Sequence, residues 1–166
     1  MVEGVAGIMC VLTDGTEKDL PGQLTKLCDN SISVVWRSSL GHVYKRSTPF
    51  LIENELYFYE KLYSFGIVPF AQRYDKYTLE IQDLGMSEPV TDSQTFRENC
   101  MGALAALELA GVRHGDLTEY AIIVKDNKPY LVDFAESRMR DDPRPDKRVG
   151  GDELWMNKAI ENILKK

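Results

Sequence analysis

Two short apolar runs, Ala121-Ile122-Ile123-Val124 and Tyr130-Leu131-Val132, stand either side of the tetrapeptide Lys125-Asp126-Asn127-Lys128. Such a pairing around Asp-Asn reads as a tight β-hairpin. Asp116 precedes the hairpin and Asp133 follows it directly, so closing the hairpin brings two carboxylates to one edge. The plainer alternative is that each aspartate serves only a turn or a cap.

The rest of the chain alternates strand and helix signals. From Leu24 to Ser47 the texture is that of strands, with Val34–Trp36 and Val43–Lys45 separated by the turn Ser38-Ser39-Leu40-Gly41. That predicts a hairpin with a lysine on its second strand. A helix is predicted over Leu51–Phe65, with Leu51, Phe58, Leu62 and Phe65 on its buried face. Glu55 falls in the same stripe, and a carboxylate on an apolar face calls for a cationic partner. Lys45 is the strand-borne candidate, the alternative being Glu55 at the rim and Lys45 in solvent. Tyr77, Leu79 and Ile81 alternate as a further strand, and Gln82-Asp83-Leu84-Gly85 ends it in a hinge.

Thr91 to Leu109 is expected as a helix with a Thr91/Gln94 capping box, the stripe Phe96, Cys100, Leu104 and Leu107, and Gly111 as its stop. A basic loop follows from Arg138 to Arg148, interleaved with Asp141, Asp142 and Asp146, and is expected as a solvated surface segment, the alternative being a substrate or partner contact. A last amphipathic helix runs from about Asp152 to Leu164, and Asp152 is either its N-cap or a brace for the loop at Asp116. The order predicts an α+β fold in one domain, residues 1–166, with a sheet-rich lobe over about 1–83 and a reduced helical lobe over about 84–166.

Arg113-His114-Gly115-Asp116-Leu117-Thr118, the hairpin, and Leu131-Val132-Asp133-Phe134-Ala135 together resemble the catalytic loop and metal-binding segment of the protein-kinase-like superfamily. The His-Gly-Asp form is similar to atypical kinases of the RIO, KEOPS, lipopolysaccharide and aminoglycoside types, and to small fungal kinase-like proteins. The resemblance implies a two-lobed kinase fold around a nucleotide cleft, with ATP and Mg2+ or Mn2+ as cofactors. It assigns Asp116 to orienting the acceptor hydroxyl, His114 to bracing the loop, and Asp133 to the metal. Lys45 would contact the phosphates with Glu55 as its partner, and the backbone of Gln82 and Leu84 would meet the adenine.

Two departures bear on activity. The family places an asparagine metal ligand five residues after the catalytic aspartate, where this chain has Ala121. The turn expected to cover the phosphates, Asp29-Asn30-Ser31-Ile32-Ser33, has no glycine. Three readings follow: a small atypical kinase acting on a protein or small-molecule hydroxyl, a pseudokinase that binds nucleotide or a partner without transfer, or an unrelated α+β interaction domain.

A net charge of −6 argues against a nucleic-acid or anionic-membrane surface, which needs a basic field. The three dispersed cysteines, Cys10, Cys28 and Cys100, suit the reducing cytosol or nucleus. The apolar stretch Met1–Leu12 is short, carries Glu3 and has no basic lead, so neither a signal peptide nor a membrane span is expected.

Overall fold

Residues 20–166 are described by the structure, a computed structural model. The Met1–Leu12 stretch, with Cys10, and most of the loop expected from Asp14 lie outside them.

Residues 20–56 and 70–83 make one compact unit, and residues 57–69 and 84–166 a second. The first is built on a five-stranded antiparallel sheet in the order β1-β2-β3-β5-β4: β1 (Leu24–Asp29), β2 (Val34–Ser38), β3 (His42–Arg46), β4 (Ala71–Asp75) and β5 (Thr78–Gln82). The expected β2–β3 hairpin forms, turning at Gly41 with φ 89°. Such a φ suits glycine in a three-residue loop. β4 was not among the strands expected from the sequence.

Register sorts the two faces of this sheet. Val34, Trp36 and Tyr44 pack with Leu20 on one face. Val35, Lys45 and Leu79 are direct cross-strand partners on the other. Lys45 therefore sits among β-branched and apolar neighbours, on the face opposite the tryptophan core.

Helix α1 (Pro49–Tyr63) buries Ile52, Glu55, Phe58, Tyr59 and Leu62. Phe65, expected on this stripe, is instead exposed. The helix closes with Gly66 N–H on Tyr63 O and Gly66 at φ 70°, so position 65 has already left the helical register. The first turns of α1, to Leu56, belong to the first unit and the remainder to the second.

In the second unit α2 (Ser93–Ala110) packs against β8 (Lys128–Leu131) and α3 (Gly151–Leu164). Its cap is Asp92, whose carboxylate accepts Thr95 N–H at 3.0 Å, not the expected Thr91. Thr91 is engaged elsewhere: its N–H and hydroxyl both lie on Asn127 Oδ1. Leu104 is only half-buried, and Ala103 and Ala106 share the core face with Phe96, Cys100 and Leu107. Gly111 stops the helix at φ 70°, as expected.

β7 (Ile122–Lys125) and β8 form the predicted hairpin, with Asp126 at φ 48° and Asn127 at φ 58° in its two-residue turn. A further pair, β6 (Val112–Arg113) with β9 (Arg138–Met139), holds the start of the basic loop beside the His114–Asp116 segment. Among the described residues no helix is long and apolar enough to cross a membrane.

Candidate functional site

In the first unit, Lys45 Nζ donates to Glu55 Oε1 at 2.9 Å, the pairing expected from the sequence. The lysine side chain is 12% exposed and the carboxylate 2%. A pair this buried gives little net stability relative to apolar residues of similar shape, yet losing one partner strands the other charge.

The β1–β2 turn is closed by Asn30, whose side-chain Oδ1 accepts the amides of Ile32 at 2.8 Å and Ser33 at 2.9 Å. Ser47 Oγ holds the Ile32 carbonyl from below. Amides that a glycine-rich turn could offer to phosphate are here satisfied internally. At the end of β5, Gln82 N–H is taken by Phe70 O and Asp83 N–H by Gly41 O. Asp83 also accepts from Arg37 Nε at 2.8 Å.

The second unit holds the other predicted groups. His114 is fully buried. Its Nε2 lies 2.9 Å from Val132 O, and its Nδ1 accepts Asp116 N–H at 3.3 Å. The ring thus ties the residue before Asp133 to Asp116, the bracing role expected of it. Asp152 is a brace as well: its two oxygens accept His114 N–H at 2.8 Å and Gly115 N–H at 3.1 Å. Gly115 explains the His-Gly-Asp form, since its φ is 85° and a Cβ would meet Glu136 O at 2.6 Å.

Asp133 adopts φ 63°, uncommon for a residue with a side chain, with its N–H on Tyr59 OH at 3.3 Å. Such strain persists only where surrounding contacts impose it, as at functional sites. Phe134 supplies them: it is fully buried, with ring centroids 4.9 Å from both Tyr59 and His114. Ala121 ends a short 3-10 turn (Glu119–Ala121) and is 3% exposed, and its carbonyl accepts Val132 N–H. Position 121 is therefore adjacent to the Asp133 segment, but its methyl group cannot ligate.

Sequence reasoning missed the environment of Asp116. Arg148 Nε donates to its Oδ1 at 2.6 Å and Lys147 Nζ lies 3.4 Å from its Oδ2. The basic loop is exposed or half-exposed along its length, as expected, and also lies along the His114–Asp116 loop. Arg113 fastens it, donating to the carbonyls of Asp142 and Arg144 and pairing with Asp146 at 3.2 Å. Arg148 N–H adds a bond to Gly115 O. The contacts span some thirty residues, and only the density of Arg and Lys there hinted at them. Arg138 and Arg144 belong elsewhere, in β9 and in an ion pair with Asp142. The carboxyl of Asp142 is held well below the usual aspartate range by the Arg144 guanidinium.

The RIO domain family matches residues 53–161, well over half of the chain and including Glu55, Gln82, Leu84, Asp116 and Asp133. No curated protein is matched by sequence. Among solved structures, the Rio2 kinase of Chaetomium thermophilum, captured as an ADP/Mg2+-phosphoaspartate complex, superimposes with a TM-score of 0.63 at 16% identity. That match covers 95% of this chain and 59% of the Rio2 chain, so the protein spans less than two thirds of that kinase. Two aminoglycoside phosphotransferases share the fold. APH(2'')-IIa, with streptomycin and ATP, has a TM-score of 0.51 at 10% identity, over 75% of this chain and 69% of its own. ADP-bound APH(2'')-Ib has 0.53 at 10%, over 77% and 71%. The fold is the small kinase-like α+β fold implied by the His-Gly-Asp resemblance, and the chain belongs to the RIO-domain family of the protein-kinase-like superfamily.

Proposed function

We propose that this protein is an atypical kinase that binds ATP with a divalent metal and passes the terminal phosphate to a hydroxyl of a protein or small molecule. The buried Lys45–Glu55 pair is the observation that carries this reading. A module that only scaffolds gains nothing from two desolvated charges, whereas a nucleotide site uses the lysine to hold phosphate oxygens.

Asp133 would hold the metal. It is an exposed carboxylate fixed by strained backbone, and among the described residues no three His, Cys, Asp or Glu side chains gather around a metal position. One carboxylate suits Mg2+, which keeps waters and takes its other ligands from the nucleotide's phosphates. The donor set thus fits a metal that arrives with ATP. When bound, such a metal supplies neutralisation of phosphate charge. Asp116 would accept the hydroxyl proton as the acceptor oxygen bonds to the terminal phosphorus and the bond to the bridging oxygen breaks, leaving ADP. The backbone at Gln82 and Leu84 would receive the adenine. The exposed Cys28 and buried Cys100, both free thiols, support a cytosolic or nuclear setting.

A second reading, a pseudokinase acting through a protein partner, is favoured by two observations. Ala121 offers no ligand, and the Asn30 turn keeps its amides to itself. A thermal-shift titration with ATP, with and without Mg2+ or Mn2+, tests binding, because a ligand specific for the folded state raises its stability. Metal-dependent stabilisation supports the nucleotide site. No response to ATP in either condition removes it. Stabilisation without any transfer to a hydroxyl would favour the pseudokinase.

A further inference from the structure

The cations on Asp116 belong to no role assigned so far. Lys147 and Arg148 bring two positive charges to one carboxylate, one to each oxygen. Arg144 is paired with Asp142 and Arg113 with Asp146, and the Asp152 carboxylate is held by the N–H groups of His114 and Gly115. Nor is Arg148 loosely placed. Arg148 is anchored by its backbone N–H on Gly115 O, and its guanidinium lies 4.9 Å from the Trp155 ring centroid. Trp155 Nε1 in turn donates to Val149 O at 2.9 Å. Much of each cation faces solvent, 37% of the Arg148 side chain and 53% of Lys147.

An acceptor hydroxyl needs one Asp116 oxygen at hydrogen-bond distance. A neutral acceptor can bond to Oδ2, where Lys147 stands at 3.4 Å, but it brings no charge to the solvent-facing sides of the two cations. An acceptor bearing its own carboxylate or phosphate pairs with those cations while its hydroxyl meets Asp116. We propose that Lys147 and Arg148 form the anion-recognition element of the acceptor site, selecting a hydroxyl flanked by a carboxylate or phosphate. In its absence the same two side chains hold Asp116 engaged. The inference rests on the reading of Asp116 as the residue that meets the acceptor.

Trp155 supplies a readout that requires no phosphate transfer. Its emission is followed while the nucleotide-free protein is titrated with three probes: a serine peptide flanked by glutamates, the same peptide flanked by glutamines, and glycerol 3-phosphate. Saturable binding of the glutamate peptide or of glycerol 3-phosphate, stronger than that of the glutamine peptide, supports the proposal. The preferred arm distinguishes an acidic protein segment from a small phosphorylated alcohol. Arg148→Gln should weaken that binding by roughly 10- to 100-fold, the effect of losing one charge-assisted hydrogen bond. Trp155→Phe should abolish the signal while a calorimetric titration still detects binding. Equal binding of the glutamate and glutamine peptides overturns the proposal, as does unchanged affinity in Arg148→Gln. So does an Arg148→Gln protein whose ATP–Mg2+ affinity alone falls, since the pair would then serve the nucleotide. The ATP thermal shift on the same samples separates the two readings: anion selectivity can fail while ATP still stabilises, and ATP can fail while selectivity persists.

Discussion

At the scale of single residues, charge placement decides most of the chemistry. Replacing Lys45 by Met takes the cation from a buried Glu55, which should destabilise the fold by about 3–5 kcal/mol. The double variant Lys45→Met/Glu55→Met should recover most of that loss in denaturant unfolding while still lacking nucleotide affinity. If the double variant binds ATP like the parent, Lys45 has no part in the site. Asp116 and Asp133 should separate by function: Asp133→Ala loses metal-dependent stabilisation by ATP, whereas Asp116→Ala keeps it and loses transfer. Equal loss of both properties in both variants would mean the roles are misassigned. Glu55 was legible because a carboxylate in an apolar stripe demands a partner and Lys45 was a strand-borne candidate, whereas Arg46 alternates to the opposite face of the strand. The cations on Asp116 were not legible, because a contact over some thirty residues leaves no local pattern.

At the scale of elements, caps and turns explain where expectation and structure part. The hairpin around Asp126 and Asn127 was readable since both residues tolerate positive φ, and Gly111 was readable as a helix stop. The start of α2 was displaced by one residue because Asn127 engages Thr91, a tertiary contact that competes with the local capping box. β4 was hidden because Ala71–Asp75 has little β-branched or alternating apolar character. Asp92 and Glu88 also set a pH dependence. Both are held below their ordinary values of 3.8 and 4.5, Asp92 by the Thr95 N–H and Glu88 by the Asp126 N–H with help from Lys125. A depressed carboxylate contributes stability that is present above its unfolded value and lost as pH falls through the folded one. Unfolding free energy should therefore decline below about pH 4.5, and Glu88→Gln should flatten the decline. An equal slope in parent and variant would rule this contact out as a source. Asp92→Ala should lower the unfolding midpoint in denaturant at neutral pH, the Thr95 N–H losing its cap.

At the scale of the whole molecule, a family fold is retained, while Ala121 and the glycine-free Asn30 turn depart from the pattern that the kinase resemblance implies. Ala121→Asn tests whether the missing ligand is the limiting one. Because Ala121 is buried, the amide must displace a neighbour, so its stability should be measured beside its ATP response. An added metal contact should raise Mg2+-dependent ATP affinity by roughly 5- to 150-fold, equivalent to about 1–3 kcal/mol. No gain in a folded variant would place the defect in the closed Asn30 turn. The fold class was visible in the chain itself, as were the Lys45–Glu55 pair of the first unit and the hairpin between Asp116 and Asp133 in the second. Whether they still bind nucleotide depends on amide orientation and burial, which no spacing encodes. The central claim is tested most directly by calorimetric titration of ATP into the parent and into Asp133→Ala, each with and without Mg2+. Saturable binding that strengthens with Mg2+ in the parent and loses that dependence in Asp133→Ala is the predicted result. Heats indistinguishable from dilution in the folded parent under both conditions would contradict it.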